Sequence, residues 1–203
     1  GRPDPAPTPP AGSGTFQVTF DPALQRERYS GRVYVVLTRG ESGEPRRQMN
    51  DWYGSSQVLA LDASGIRPDE GVKIGAAAAS WPRPFSEIAP GEYRAQAVAR
   101  RNPDFPRPGE GPGDLYSDVV PVSIGSDGAP FHAALKLTHA VPERQFRETD
   151  RIKLVSIVSP SLSEFYGREV KVNAGVVLPQ GWKDDESVHY PTVYFIGGFG
   201  GSH

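Results

Sequence analysis

"GEYRAQAVAR" runs from Gly91 to Arg100, and its side chains alternate in character. Tyr93, Ala95, Ala97 and Ala99 fall on one face, and Arg94, Gln96 and Arg100 on the other. A period of two belongs to a β-strand with one packed face and one wet face. The same texture extends in both directions. "TFQVTF" puts Phe16, Val18 and Phe20 together, and "RVYVVLTR" does so for Val33, Val35 and Leu37. "SQVLALDA", "GVKIGAAAAS", "SDVVPVSIG" and "HAALKLTHA" continue the series. Between them lie the breakers "GESGEP", "RPDEG", "NPDFPRPGEGPGD" and "GSDGAP". Gly (23) and Pro (21) together exceed a fifth of the 203 residues, which favours turn-rich β structure over long helices. About seven short strands without a convincing helix read as an immunoglobulin-like β-sandwich over residues 15–145.

Composition narrows the function classes. A net charge of -2 gives no reason to expect nucleic acid or an anionic membrane as partner. No apolar stretch reaches the roughly 18–20 residues of a membrane span. The chain has no cysteine, which excludes disulfides, thiolate metal sites and a Cys nucleophile. Residues 1–14, "GRPDPAPTPPAGSG", form a Pro-rich tail that cannot pack a core. Its place at the front, with no Met start, suits a spacer behind a removed export signal, hence a secreted or periplasmic protein.

Within the sandwich the candidate sites are few. "DWYG" (Asp51 to Gly54) joins two aromatics to a carboxylate, as a sugar platform or as a plug of Trp52 and Tyr53 at the sandwich end. Asp104, Glu110, Asp114 and Asp118 surround a Pro/Gly loop. Their spacing fits no EF-hand loop, so they read as solvated acids rather than calcium ligands. His132 and His139, seven apart on one strand, fall on opposite faces and cannot share a metal. No metal or organic cofactor is called for.

From residue 146 the texture changes. Two longer strands, roughly Ile152 to Val158 and Arg168 to Leu178, flank "SPSLSEFYG", which reads as the wide loop of an antiparallel hairpin. "LPQGWKDDESVHYP" then leads to "TVYFI", whose Val193 to Ile196 are continuously apolar, the pattern of a strand buried on both faces. Four glycines follow within "GGFGG", residues 197–201. A phosphate loop needs Lys and then Ser or Thr after the last Gly, and Ser202 and His203 stand there instead.

The order "SIVSPSLSEFYGREVKVNAGVVLPQGW…HYPTVYFIGGFGGSH" resembles the opening of the esterase D-like branch of the α/β-hydrolases. The resemblance covers about residues 150–203 and is carried by "GRE", "LPQGW" and "YPTVYFIGGFGG" in that order and spacing. It implies that residues 146–203 begin an α/β-hydrolase domain, and members of this family often carry a β-sandwich in front. The whole chain then reads as mainly β: a sandwich followed by the first strands of a truncated hydrolase.

An ester hydrolase must stabilise the oxyanion of a tetrahedral intermediate, and in this fold one backbone N–H comes from the loop after the third strand. Residue by residue, Gly197 stands where many members have His, Gly198 matches the next Gly, and Phe199 is the position whose N–H donates. The triad implied by the resemblance, with Ser in a G-x-S-x-G elbow and then an acid and a His, lies beyond these residues. Ser202 lacks the second half of the elbow, His203 comes too early for the base, and His189 reads as a solvated loop residue.

Two readings follow. One is the N-terminal part of a secreted serine ester hydrolase, inactive as it stands, whose full-length form acts on a small ester or an acylated carbohydrate. The other is a non-catalytic sandwich module binding carbohydrate or a protein partner, with "DWYG", Arg100, Arg101 and Arg107 as its candidates. In the first reading Val176, Val177, Tyr194, Phe195 and Ile196 line uncovered strand edges, and the chain is expected to self-associate through them.

Overall fold

The computed structural model describes residues 14–41, 43–49, 56–126, 129–185 and 187–198. The chain divides into two compact units between Glu143 and Arg144.

In the first unit the alternating runs form nine strands: β1 (Thr15–Phe20), β2 (Tyr29–Thr38), β3 (Gln57–Ile66), β4 (Val72–Ile74), β5 (Ala79–Trp81), β6 (Gly91–Ala99), β7 (Leu115–Ser117), β8 (Val120–Ile124) and β9 (His132–Ala140). They hydrogen-bond in the order β4-β1-β9-β7-β6-β2-β3-β5, with β8 also on β6. β1 and β9 run parallel, from Thr15↔His132 to Phe20↔Leu137, while the other pairs are antiparallel. The chain is thus mainly β with a mixed sheet.

The inward residues of the alternating runs meet in one core. Phe16 and Val18 from β1, Val33, Val35 and Leu37 from β2, Leu59 from β3 and Ile74 from β4 are fully buried in it. Ala95, Ala97 and Ala99 from β6 join them, with Leu115 from β7 and Leu135 and Leu137 from β9. Apolar burial at about 25 cal/mol per Å² drives this assembly, and the strand period decides which residues take part.

Three local expectations are corrected. "GVKIGAAAAS" is not one strand: the chain turns at Gly75, whose carbonyl accepts from the Ala78 N–H at 2.9 Å. β4 and β5 therefore lie at opposite ends of the strand order. "SDVVPVSIG" holds a shorter strand than expected, β8, and its Ser117 ends the separate β7; β7 and β8 pair with successive stretches of β6. The second face of β6 is not wet throughout, because Gln96 is buried. A 3-10 turn, Pro45–Gln48, lies over that face, and Met49, Val36 and Val98 make a small second core. Buried there, the Gln96 amide has both its polar ends satisfied. Its Oε1 accepts from the Arg46 N–H at 3.0 Å and its Nε2 donates to the Ser117 carbonyl at 2.9 Å. The Arg46 guanidinium is buried too; it donates to Glu44 and to the Gly109 carbonyl, and stacks 4.1 Å from the Tyr116 ring centroid.

The second unit holds β10 (Ile152–Val158), α1 (Pro160–Tyr166) and β11 (Lys171–Val177). β10 and β11 pair antiparallel from Ile152↔Val177 to Val158↔Lys171. The connection expected to be an open loop contains a helix instead. Ser159 caps it by accepting from the Leu162 N–H, Pro160 opens it, and Gly167 closes it. "TVYFI" is not a strand either. Residues 191–198 have no ladder partner among the described residues, and a strand exists only where neighbours share its backbone hydrogen bonds. No helix among the described residues is long and apolar enough to cross a membrane.

Between β6 and β7 the loop of residues 100–114 is organised around a carboxylate. Asp114 is fully buried, and its Oδ1 accepts from the N–H groups of Arg101 (2.7 Å) and Asn102 (2.8 Å). Its Oδ2 accepts from the Gly109 N–H at 2.8 Å. Asp114 is therefore not a solvated loop acid: a carboxylate offers acceptors on two sides, and this one closes both ends of the loop. Gly109 has φ +79, and a Cβ there would come within 2.9 Å of Val98 Cγ2, so only glycine fits.

Asp114→Asn keeps the shape but turns one acceptor into a donor facing backbone N–H groups. The expected loss is about 2–3 kcal/mol, read as a lower urea midpoint with an unchanged slope. An unchanged midpoint would show that the loop is held by something else.

Candidate functional site

The loop fixed by Asp114 delivers two arginines to one end of the sheet. At that end β2 begins and β6 finishes, and the Arg100 N–H donates to the Arg32 carbonyl at 3.0 Å. The β2–β3 ladder shifts register between Tyr29 and Gly31, a bulge of the kind that re-aims side chains at a sheet rim. Tyr29 turns inward and is buried, while Arg28, Ser30 and Arg32 are exposed around it. The Tyr29 hydroxyl is shared between the carbonyls of Arg32 (3.1 Å) and Arg100 (2.9 Å). Gly31 lies across this phenol, where a Cβ would sit 2.6 Å from the hydroxyl oxygen.

Around that mouth is an open cleft of about 450 Å³, lined by Arg28, Arg32, Arg100 and Arg101 together with Gln25 and Ser30. Among the described residues no Asp or Glu lines it. Arg32 is paired, with Nε and Nη2 each 2.7 Å from the Asp62 carboxylate, and Arg32 in turn holds the Asp62 carboxyl below its usual range. The other three guanidiniums bond to neutral backbone oxygens. Arg28 donates to the Gly65 carbonyl at 2.7 Å and Arg101 to the Leu24 carbonyl at 3.4 Å. Arg100 donates to the carbonyls of Asn102, Pro103 and Phe105, so it braces the loop rather than facing water as its strand position implied.

The remaining sequence candidates are scattered. Arg107 lies outside the cleft, 3.9 Å from Glu110. Asp104 is exposed. Asp118 is exposed and sits 2.8 Å from His139 Nε2, and the His139 ring stacks on Tyr116 at 5.0 Å. His132 Nδ1 lies 3.1 Å from the Thr15 hydroxyl. Among the described residues no three His, Cys, Asp or Glu side chains gather as a metal site would require. "DWYG" and Phe199 lie outside the described residues. Gly198 is exposed with open space around its Cβ position, and His189 is exposed. Of the cleft, the sequence signal that was readable is the pair Arg100–Arg101; Arg28 and Arg32 were missed because the strands β3 to β6 lie between them and that pair in the chain.

No protein-family model, curated protein or solved structure matches this chain.

Burial first, and then the negative charge of Asp114, push the Tyr29 hydroxyl well above its usual value. The folded state holds this proton more tightly than the unfolded chain does. The stability tied to it is complete below about pH 10, the ordinary tyrosine range, and is lost as pH rises beyond that. Tyr29→Phe is expected to cost about 1 kcal/mol at neutral pH and to flatten part of the alkaline decline. Denaturation midpoints of both forms at about pH 8 and pH 11 check this; equal slopes would show that Tyr29 does not set the alkaline limit.

Proposed function

We propose that the chain is the front part of a secreted serine ester hydrolase. In this reading residues 15–145 are an immunoglobulin-like sandwich and residues 146–203 the opening of an α/β-hydrolase domain. The observation that carries it is the apolar surface of the second unit, in the order "GRE", "LPQGW", "YPTVYFIGGFGG". Ile157 and Val158 on β10 and Val172 and Val177 on β11 are exposed, and Val193, Tyr194, Phe195 and Ile196 are 88–91% exposed. Apolar residues this dense call for cover, and the remaining strands and helices of a hydrolase sheet supply it. There Val193 to Ile196 become the third strand and the glycines behind it carry the backbone N–H groups of Gly198 and Phe199 to the oxyanion. Chemistry then needs a Ser nucleophile with its His and acid from further residues, acting on a small ester or an acylated carbohydrate.

The test is to read the coding sequence past His203 and to assay its product on p-nitrophenyl acetate. A G-x-S-x-G elbow followed by Asp and His is expected, with turnover abolished by Ser→Ala. In that product Phe199→Pro removes the donor N–H and is expected to lower kcat by about 10²–10³. Absence of the elbow and of turnover would overturn the reading.

A second reading, a non-catalytic binding module, is favoured by one observation: Arg100 and Arg101 stand in one cleft with two further arginines.

A further inference from the structure

We propose that the cleft at the start of β2 and the end of β6 binds a compact polyanion, a ligand bearing two or more negative charges on carboxylate or phosphate oxygens. This deepens the binding-module reading and rests on it for the cleft alone; ester hydrolysis plays no part.

Four arginines line about 450 Å³, and among the described residues no acidic residue lines it with them. Asp62 balances Arg32, leaving Arg28, Arg100 and Arg101 hydrogen-bonded to neutral carbonyls. The Asp114 carboxylate, the acid built into the supporting loop, is enclosed and occupied by three backbone N–H groups. Its charge offsets part of the cluster from below but offers nothing at the mouth. Like charges brought together this way repel one another, and an anion in the cleft relieves that repulsion.

The donors are available and already placed. A guanidinium has five N–H groups; Arg28 and Arg101 each spend one on a carbonyl of the described chain. Those carbonyls orient the side chains, so less rotamer entropy is lost when a ligand arrives. Planar forks of this kind match carboxylate and phosphate oxygens in pairs. The volume suits a ligand of sugar-phosphate or tricarboxylate size. A nucleic acid or membrane surface needs a far wider basic face than one cleft on a chain of net charge -2.

Calorimetric titration of the intact chain at low salt, with pyrophosphate in one arm and citrate in the other, tests the proposal. Saturable one-to-one binding that weakens with salt is expected, and the tighter arm identifies a phosphate or a carboxylate source. Arg28→Ala and Arg101→Ala should each weaken it about tenfold or more, while Arg107→Ala, outside the cleft, leaves it unchanged. Arg28→Lys and Arg101→Lys keep the charge but lose the fork; a smaller loss there than with alanine supports the geometry and covers the case in which an alanine form fails to fold. Thermal midpoints of all variants should stay close to the parent's, because the Arg28 and Arg101 side chains each make a single, exposed bond to the described chain. No saturable binding of either anion at millimolar concentration, or binding that both alanine variants retain, overturns the proposal. Binding without turnover in the longer product would sink the hydrolase reading and leave this one standing.

Discussion

β6 is the strand through which the first unit is connected. Along one edge it pairs with β2 from Thr38↔Arg94 to Val33↔Ala99. Along the other it pairs first with β8, through Ala95, and then with β7 at Val98 and Ala99. Without β6 the strand order would separate into β4-β1-β9-β7 on one side and β2-β3-β5 on the other. Its sequence suits that position. Ala95, Ala97 and Ala99 give one face small side chains that are fully buried in the main core, while Gln96 and Val98 on the other face meet the 3-10 turn. A strand buried on both faces and paired on both edges is the least free to slip, since a one-residue shift would exchange its two faces.

The cleft inherits its geometry from where β6 stops. Immediately after Ala99 the chain enters the loop that Asp114 ties down, so Arg100 and Arg101 leave the sheet at a fixed height beside the start of β2. Tyr29 locks the same corner from beneath through the carbonyls of Arg32 and Arg100. A buried carboxylate spent wholly on backbone donors and a buried phenol shared by two carbonyls leave little freedom underneath. Above them Arg28, Arg100 and Arg101 are held by bonds to backbone oxygens, and Arg32 by the Asp62 carboxylate.

The second unit obeys a different balance. Its hairpin satisfies the backbone of β10 and β11, and Ser159 and Gly167 close the helix between them. Its side chains are another matter: residues along both strands are largely exposed, and residues 193–196 are almost wholly so. Backbone hydrogen bonds can be completed locally by a hairpin and a short helix, whereas apolar side chains need a second layer. The proposed hydrolase sheet is such a layer.

How much of this was legible in the chain follows from range. The alternation in "TFQVTF", "RVYVVLTR" and "GEYRAQAVAR" named the inward residues Phe16, Val35 and Ala97 correctly, because period two is a property of the strand itself. The break inside "GVKIGAAAAS" was carried by Gly75 and missed, and the helix in "SPSLSEFYG" was announced by Ser159, Pro160 and Gly167 yet read as a loop. The sequence by itself determined the mainly β character and most of the core, through short-range periodicity and turn chemistry. Only the tertiary structure decided that Gln96 is buried, that Asp114 is enclosed, that "TVYFI" has no ladder partner among the described residues, and that Arg28 and Arg32 join Arg100 and Arg101. Each of those depends on which strand lies beside which, and pairing between residues some seventy positions apart leaves no mark on the local pattern of either.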